Sequence, residues 1–150
     1  AFLDNRLVVI ANPTHPLATR RSVEPGWLSR ETWLLREAGS GTRETTEEFL
    51  AAKEIEPRSV MTVGSNAAIK RATAVGLGVT LLSEQAVAAE LAAGSLVRLP
   101  VQGTPLRRSW YVLYQEGSSL PRSAQAFLEL IRSPAVLEAL PESKPAGEGT

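Results

Sequence analysis

The chain has 150 residues, 43% of them hydrophobic, and its 16 basic and 16 acidic side chains give a formal net charge of zero. This composition predicts one soluble globular domain with a sizeable core, and the lack of a basic surplus argues against the whole chain being a nucleic-acid clamp. The absence of cysteine excludes disulfides and thiolate sites. Together with the lack of a long apolar run, it leads us to expect a cytoplasmic protein with no membrane partner. The first residues enter a strand almost at once, so we expect a fragment of a larger protein.

Hydrophobic patterns predict strands and helices that alternate along most of the chain. The first strand, Leu7–Ala11, is a continuous aliphatic run and is therefore predicted to be buried on both faces. Further strands are predicted at 32–35, 60–63, 79–82, 96–101 and 110–114, and helices at 42–53, 67–75, 83–93 and 123–132. The alternation between residues 32 and 93 predicts βαβ units with a parallel sheet. Residues 103–108 are predicted to form a turn, and the tail 134–150 a short helix at 135–140 before a disordered end.

A small, glycine-rich turn follows the second predicted strand. Gly39 and Gly41 permit a sharp turn that brings backbone N–H groups close to a ligand, and Ser40 and Thr42 are good N-cap residues for the next helix. The first N–H groups of a helix have no internal partner. Such a turn therefore favours a carboxylate, a phosphate or a sulfate.

Two arginines bracket this turn. Arg36 and Arg43 can add charge-assisted hydrogen bonds to a bound anion. Taken alone, however, the turn is more typical of an ordinary capped connection whose arginines face solvent.

A second strand-to-helix turn, Gly64-Ser65-Asn66, strengthens the functional interpretation. Ligands of parallel sheets bind beyond the carboxyl ends of the strands, and both turns follow such ends. If the two strands are neighbours, two helix N-termini meet at one crevice and favour a small anion there.

The sequence offers no arrangement that predicts an enzyme. The glycine-rich turn is not followed by the Lys-Ser or Lys-Thr of a Walker A loop, and no Gly-x-Ser-x-Gly elbow surrounds Ser40 or Ser65. The only histidine, His15, has no second metal ligand nearby and is interpreted as an ordinary loop residue. We therefore predict a binding module with no catalytic residue, no metal and no cofactor.

Five segments, taken in order, match one known family. They are LVVIANPTHPLA at 7–18, WLLREAGSGTR at 33–43, VGSNAAIK with AVGLGVTLLS at 63–70 and 74–83, LVRLP at 96–100, and AFLEL at 126–130. Together they cover residues 6–133 and resemble the effector-binding domain of LysR-type transcriptional regulators. The resemblance implies an α/β fold of the periplasmic-binding-protein-like type 2, with two subdomains and an inducer bound in the cleft between them.

The resemblance also implies how the chain is organised. Residues 1–133 correspond to part of the effector domain, with 11–100 as the complete second subdomain and 101–133 as the return into the first; 134–150 is a tail. The family's helix-turn-helix is absent from this chain, so contact with DNA is implied only through that missing part. Family members usually pair side by side, which implies a homo-oligomer such as a dimer. Phe127, Leu128 and Ile131 are expected to be buried by a partner chain or by rearrangement.

The two turns fall where members of this family contact inducers. The residues implied as first contacts are Ser40, Gly41, Thr42 and Arg43, with Ser65 and Asn66 on the other side and Arg36 as a further contact. The Gly-Ser-Gly-Thr-Arg form of the loop is similar to the branch tied to carbon fixation and sulfur assimilation. The implied effector is therefore a small, anionic metabolite.

Three other functions remain open from the sequence. A solute-binding protein of a transport system shares this architecture, although the sequence 75–79 (VGLGV) favours the regulator. A small α/β enzyme would use Ser40 or Ser65. An assembly domain without any ligand would leave the crevice at the two turns empty.

Overall fold

The computed structural model describes residues 3–115 and 119–139, with side chains described as far as residue 136. Within these residues the strands are β1 (Leu3–Ala11), β2 (Thr32–Leu35), β3 (Ser59–Thr62), β4 (Thr80–Ser83), β5 (Val97–Arg98) and β6 (Leu106–Trp110). The helices are α1 (Gly41–Ala52), α2 (Asn66–Ala74), α3 (Ala88–Ala92), α4 (Arg122–Arg132) and α5 (Pro134–Ala139), with short 3-10 helices at Pro25–Arg30 and Gln85–Val87. The chain divides into two compact units, Arg6–Leu106 and Ala1–Asn5 with Arg107–Thr150.

Strand β1 is covered on both faces within the first unit. Alternate residues between 7 and 11 belong to two apolar clusters, one containing Phe49 of α1 and the other containing Ile69 of α2. Because successive side chains of a strand point to opposite faces, α1 and α2 cover opposite faces of the sheet. The prediction that this aliphatic run is buried on both faces is confirmed.

The strands form two sheets: β1, β4, β5 and β6 form one, and β2 and β3 form a parallel pair that a single bridge joins to the segment before β4. Strand β2 pairs parallel with β3 along its whole length, and Trp33 forms a parallel bridge to Val79, the residue before β4. Strand β1 pairs antiparallel with β4 and with β5, and β6 also pairs with β1. The parallel arrangement predicted between residues 32 and 93 is therefore confirmed.

A glycine permits the close approach of β2 to the segment before β4. A Cβ atom on Gly78 would lie 2.3 Å from the carbonyl oxygen of Thr32, which no side chain tolerates. The N–H of Val79 donates to that same carbonyl at 2.9 Å, so the approach is part of the sheet pairing. Gly78 thus helps to hold β2 in the position from which the candidate site extends.

Two predicted elements between residues 83 and 101 are shorter than expected. The predicted helix 83–93 is a 3-10 helix followed by the five-residue α3, because Val87 leaves helical geometry and packs into the cluster with Ile69. The predicted strand 96–101 contains only β5. The N–H of Leu99 still donates to the carbonyl of Val9, but Pro100 has no N–H with which to continue the ladder.

The predicted turn 103–108 is shorter than expected, because the N–H of Thr104 donates to the carbonyl of Val101 at 3.0 Å and β6 already begins at Leu106. The prediction of a strand at 110–114 is wrong. Strand β6 is Leu106–Trp110, and residues 111–115 form no regular element. The aromatic and β-branched residues of 110–114 have high strand propensity, but a strand also needs a partner, and pairing with β1 involves the preceding residues.

The second unit carries the last two helices. Helix α4 closely matches the predicted 123–132, and α5 occupies the beginning of the predicted tail, whereas 140–150 lies outside the described residues. Ile131 is buried and Leu128 half-buried, but Phe127 is 57% exposed. Burial of Phe127 by a partner chain therefore stays a prediction. Among the described helices, none is both long enough and apolar enough to cross a membrane.

Candidate functional site

The glycine-rich turn 39–41 and the turn 64–66 lie at the same edge of the sheet. Each follows one of two neighbouring parallel strands, since Leu35 at the end of β2 is opposite Thr62 at the end of β3. The N–H of Val63 donates to the carbonyl of Leu35 at 2.8 Å, so the pairing continues to the start of the second turn. The condition set by the sequence, that the two strands be neighbours, is met.

Backbone geometry, rather than a side-chain cap, begins helix α1. Gly39 has a φ of +83°, which favours glycine, and the carbonyl of Ser40 accepts from the N–H of Glu44 at 3.1 Å. The Ser40 hydroxyl makes no capping hydrogen bond. The predicted side-chain cap at Ser40 is therefore wrong, and Thr42 lies inside the first turn. The N–H groups of Thr42 and Arg43 consequently receive no acceptor from the Ser40 side chain.

The second turn is capped in the predicted way. Ser65 is the N-cap of α2, and its hydroxyl accepts from the N–H of Ala68 at 3.2 Å. Asn66 is the first residue of the helix, and its side-chain oxygen accepts from Nη1 of Arg36 at 2.5 Å. The two turns are therefore joined by a side-chain hydrogen bond.

Arg36 is almost fully occupied by partners from the protein itself. Its Nε and Nη2 donate to the two carboxylate oxygens of Glu37 at 2.7 and 2.8 Å, a bidentate pair, while Nη1 reaches Asn66. The side chain is only 18% exposed. The hydrogen bonds from Arg36 lower the pKa of Glu37 to about 2, and Glu37 in turn raises the pKa of Arg36. Glu37 thus lies where an external carboxylate would bind this guanidinium.

Arg43 reaches from α1 across the ends of both strands. Its Nη1 donates to the carbonyl of Arg36 at 3.1 Å and to the hydroxyl of Thr62 at 3.4 Å, and its Nε donates to Glu47 at 2.7 Å. The side chain is one-quarter exposed. The alternative in which both arginines simply face solvent is therefore wrong for Arg36 and Arg43 alike.

Three residues of this edge escaped the sequence analysis. Glu47 follows Arg43 by four positions on a helix, a spacing that signals an ion pair and could have been used. Glu37 is adjacent to Arg36, but sequence alone does not show that its side chain turns back onto the guanidinium. Thr62 contributes only because the register of β2 and β3 places it beside Arg43.

The groups at this edge are ones that can bind an anion. The edge combines helix N-termini, hydroxyl groups and two guanidinium groups. His15 lies elsewhere, where its Nε2 contacts Glu31 at 3.1 Å, so neither Ser40 nor Ser65 is paired with a histidine base. In the described part of the chain, no group of three histidine, aspartate or glutamate residues is placed to hold a metal.

Comparison with known proteins identifies similar chains. The chain is 43% identical over 131 residues to a RuBisCO operon transcriptional regulator of Acidithiobacillus ferrooxidans, covering 87% of this chain and 42% of that protein. It is 41% identical over 130 residues to the HTH-type transcriptional activator CmpR of Synechocystis, covering 87% of this chain and 43% of that protein. The chain thus spans less than half the length of these relatives.

The fold is also similar to a solved regulatory domain. The CcmR regulatory domain of Synechocystis, solved in complex with 2-PG, superimposes with a TM-score of 0.81 at 38% identity, over 87% of this chain and 62% of that one. This likeness favours the regulator over a transport protein. The family model described as the LysR substrate binding domain matches residues 1–135. The chain therefore belongs to the LysR substrate-binding domain family, the effector-binding part of LysR-type transcriptional regulators.

Proposed function

We propose that this chain senses a small anionic metabolite at the edge formed by residues 36–43 and 64–66, hereafter the effector edge. One observation carries the proposal: the hydrogen bond between Arg36 and Asn66 joins two turns that end neighbouring parallel strands. A ligand there meets donors from both turns at once, and two contacts held by one rigid sheet bind an anion better than either alone.

The roles proposed for individual residues follow from their surroundings. Ser40 supplies a hydroxyl that its own helix does not use, and the backbone N–H groups of Gly41, Thr42 and Arg43 belong to the first turn of α1. The Thr42 hydroxyl and the Arg43 guanidinium add further donors. Ser65 and Asn66 close the other side, and Arg36 contributes after exchanging Glu37 for the ligand.

The relatives support an effector of this kind. The similar CcmR regulatory domain is solved in complex with 2-PG, and two relatives are named regulators of the RuBisCO operon. We propose that the whole protein, of which this chain is the sensing part, regulates genes of carbon fixation. It would contact DNA through a segment outside this chain, act in the cytoplasm, and catalyse no reaction.

The proposal is tested by titration with 2-PG. A ligand that binds only the native state raises the melting temperature of the chain with increasing concentration. We expect Thr42→Val and Arg43→Ala to remove this rise while circular dichroism shows the fold unchanged. Arg71→Ala, an exposed arginine on α2, is the matched control and should retain it. A rise that survives both Thr42→Val and Arg43→Ala would place the site elsewhere, and no rise with 2-PG or with other small anions would favour an assembly domain.

The proposed homo-oligomer has a candidate surface in β3. All four residues of this strand are exposed, including Val60 and Met61, and its other edge is unpaired among the described strands. Association would bury this apolar edge. Sedimentation velocity should therefore show a concentration-dependent dimer that Met61→Lys weakens; a chain that stays monomeric at every concentration would contradict this part of the proposal.

A further inference from the structure

A second cleft lies in the connector between β1 and β2, away from the effector edge. Pro16, Leu17, Arg20, Trp27, Arg30 and Glu31 line a volume of about 330 Å³. Glu31 immediately precedes β2, whereas Arg36 immediately follows it, so the four-residue strand separates the cleft from the effector edge. The volume is at the lower end of the range for small-molecule sites, roughly 300–1,000 Å³.

One wall of the cleft is an aromatic face. Trp27 belongs to the 3-10 helix Pro25–Arg30, where its backbone N–H donates to the carbonyl of Glu24 at 3.0 Å. Trp27 is 37% exposed, and the guanidinium of Arg20 lies over its ring, 5.5 Å from the ring centroid. A large aromatic side chain that is held in place and left open to a cleft offers a stacking surface.

The lining of the cleft carries an excess of positive charge, which favours an anionic ligand. Glu31 is its one acidic lining residue, and its carboxylate is engaged by Nε2 of His15 at 3.1 Å. The His15 ring is itself held, because its Nδ1 accepts from the N–H of Leu17 at 3.2 Å. Arg20 and Arg30 have no carboxylate partner among residues 3–115 and 119–136. Two guanidinium groups therefore line the cleft without an acid among the described residues to neutralise them, and that of Arg20 lies over the Trp27 ring.

We propose that this cleft is a second ligand site, which takes a planar aromatic ring bearing a carboxylate or a phosphate. The ring would stack on Trp27, and the anionic group would accept hydrogen bonds from Arg30 and Arg20. This site is independent of the effector edge, since no residue is shared between them. A protein of this kind would read two small molecules rather than one.

Nuclear magnetic resonance of the ¹⁵N-labelled chain tests the proposal with benzoate and phenyl phosphate as probes. The chain has three tryptophans, and the indole N–H signal of Trp27 is the one lost in Trp27→Phe. We expect at least one probe to shift that signal in a saturable way; benzoate identifies a carboxylate ligand, and phenyl phosphate a phosphate ligand. Cyclohexanecarboxylate carries the same charge as benzoate but has no aromatic face. If benzoate binds, cyclohexanecarboxylate should bind roughly three- to tenfold more weakly.

Variants separate the proposed site from general attraction to a positive surface. Arg30→Ala should weaken binding of the active probe about tenfold, as expected for loss of a charge-assisted hydrogen bond. Arg71→Ala, which changes the net charge equally but lies outside the cleft, should leave it unchanged. The proposal is overturned if neither probe moves the Trp27 signal, if cyclohexanecarboxylate binds as well as benzoate, or if Arg30→Ala and Arg71→Ala have equal effects. Binding of 2-PG at the effector edge does not enter any of these outcomes.

Discussion

The two turns of the effector edge look alike in sequence and behave differently in the structure. Both are short, polar and glycine-containing, and both lead from a parallel strand into a helix. In the second turn the hydroxyl of Ser65 caps its own helix, whereas in the first turn the hydroxyl of Ser40 does not. A residue that stabilises its own helix has less to offer a ligand. The comparison therefore predicts that the first turn dominates binding and the second dominates stability.

The largest expected effect is on affinity at the first turn. Arg43→Ala removes a guanidinium that reaches the ends of β2 and β3, and we expect it to weaken binding of 2-PG about hundredfold, as for the loss of one or two charge-assisted hydrogen bonds. Asn66→Ala in the second turn should weaken binding only a few-fold, because Asn66 acts chiefly on Arg36. Isothermal titration calorimetry measures both, and equal losses would remove the distinction between the two turns.

A smaller effect on the affinity for 2-PG, this time an increase, is expected when Glu37 is substituted. Its carboxylate holds the same two N–H groups of Arg36 that a ligand would use, so it competes with the effector. Glu37→Gln should therefore tighten binding of 2-PG about tenfold, the equivalent of one charge-assisted hydrogen bond of roughly 1.4 kcal/mol.

The control for Glu37→Gln is Glu48→Gln, which removes one negative charge from an exposed position of α1. Glu48→Gln should tighten binding far less, since Glu48 contacts neither Arg36 nor Arg43 in the described structure. Weaker binding by Glu37→Gln would mean that Glu37 positions Arg36 for the ligand instead of competing with it.

The two serines test the comparison through stability. Ser65→Ala removes an observed N-cap and should lower the free energy of unfolding by about 1 kcal/mol. Ser40→Ala should change it by less than about 0.5 kcal/mol, because no cap is lost, while weakening 2-PG binding. Urea unfolding of both variants gives the two free energies. If Ser40→Ala proves the more destabilising, its hydroxyl has a structural role that the comparison does not include.

Much of this architecture follows from local sequence patterns. The aliphatic run at 7–11, the helices after the two turns and the parallel relation of β2 to β3 all follow from hydrophobic period and chain order. The two turns could be placed at one edge for the same reason. The predictions that failed depend on contacts between residues distant in sequence. Residues 110–114 have high strand propensity, but β1 pairs with the preceding segment, β6, instead.

The site was less predictable than the fold because the hydrogen-bond partners of its arginines depend on how the side chains are placed in the folded structure. Arg36 and Arg43 were recognised as cations beside a turn, but their occupation by Glu37 and Glu47 was not. The Ser40 hydroxyl shows the same limit, since a good capping residue at the right position makes no cap. Residue type therefore indicates which donors exist, and only the packed structure shows which of them the protein already uses.

The smallest expected effect concerns pH. Hydrogen bonds from Arg36 lower the pKa of Glu37 from 4.5 to about 2. A carboxylate with a depressed pKa in the folded state contributes its stabilisation fully above the unfolded value and loses it as the pH falls through the folded value. The contribution of Glu37 to the free energy of unfolding should therefore be complete above pH 4.5 and be lost between pH 4.5 and about 2. This contribution is small because Glu37 is exposed to solvent.

Carbon-detected nuclear magnetic resonance of the Glu37 carboxylate checks this directly. The titration midpoint should lie near 2 in the native chain and rise toward the ordinary glutamate value in Arg36→Ala, because the donor that favours the ionised form is gone. Because of this ion pair, the Glu37 carboxylate stays charged above pH 4.5. Glu37 should therefore compete with the effector for Arg36 just as strongly in mildly acidic buffer as at neutral pH. A midpoint near 4.5 in the native chain would mean that Arg36 is released in solution and already open to an effector.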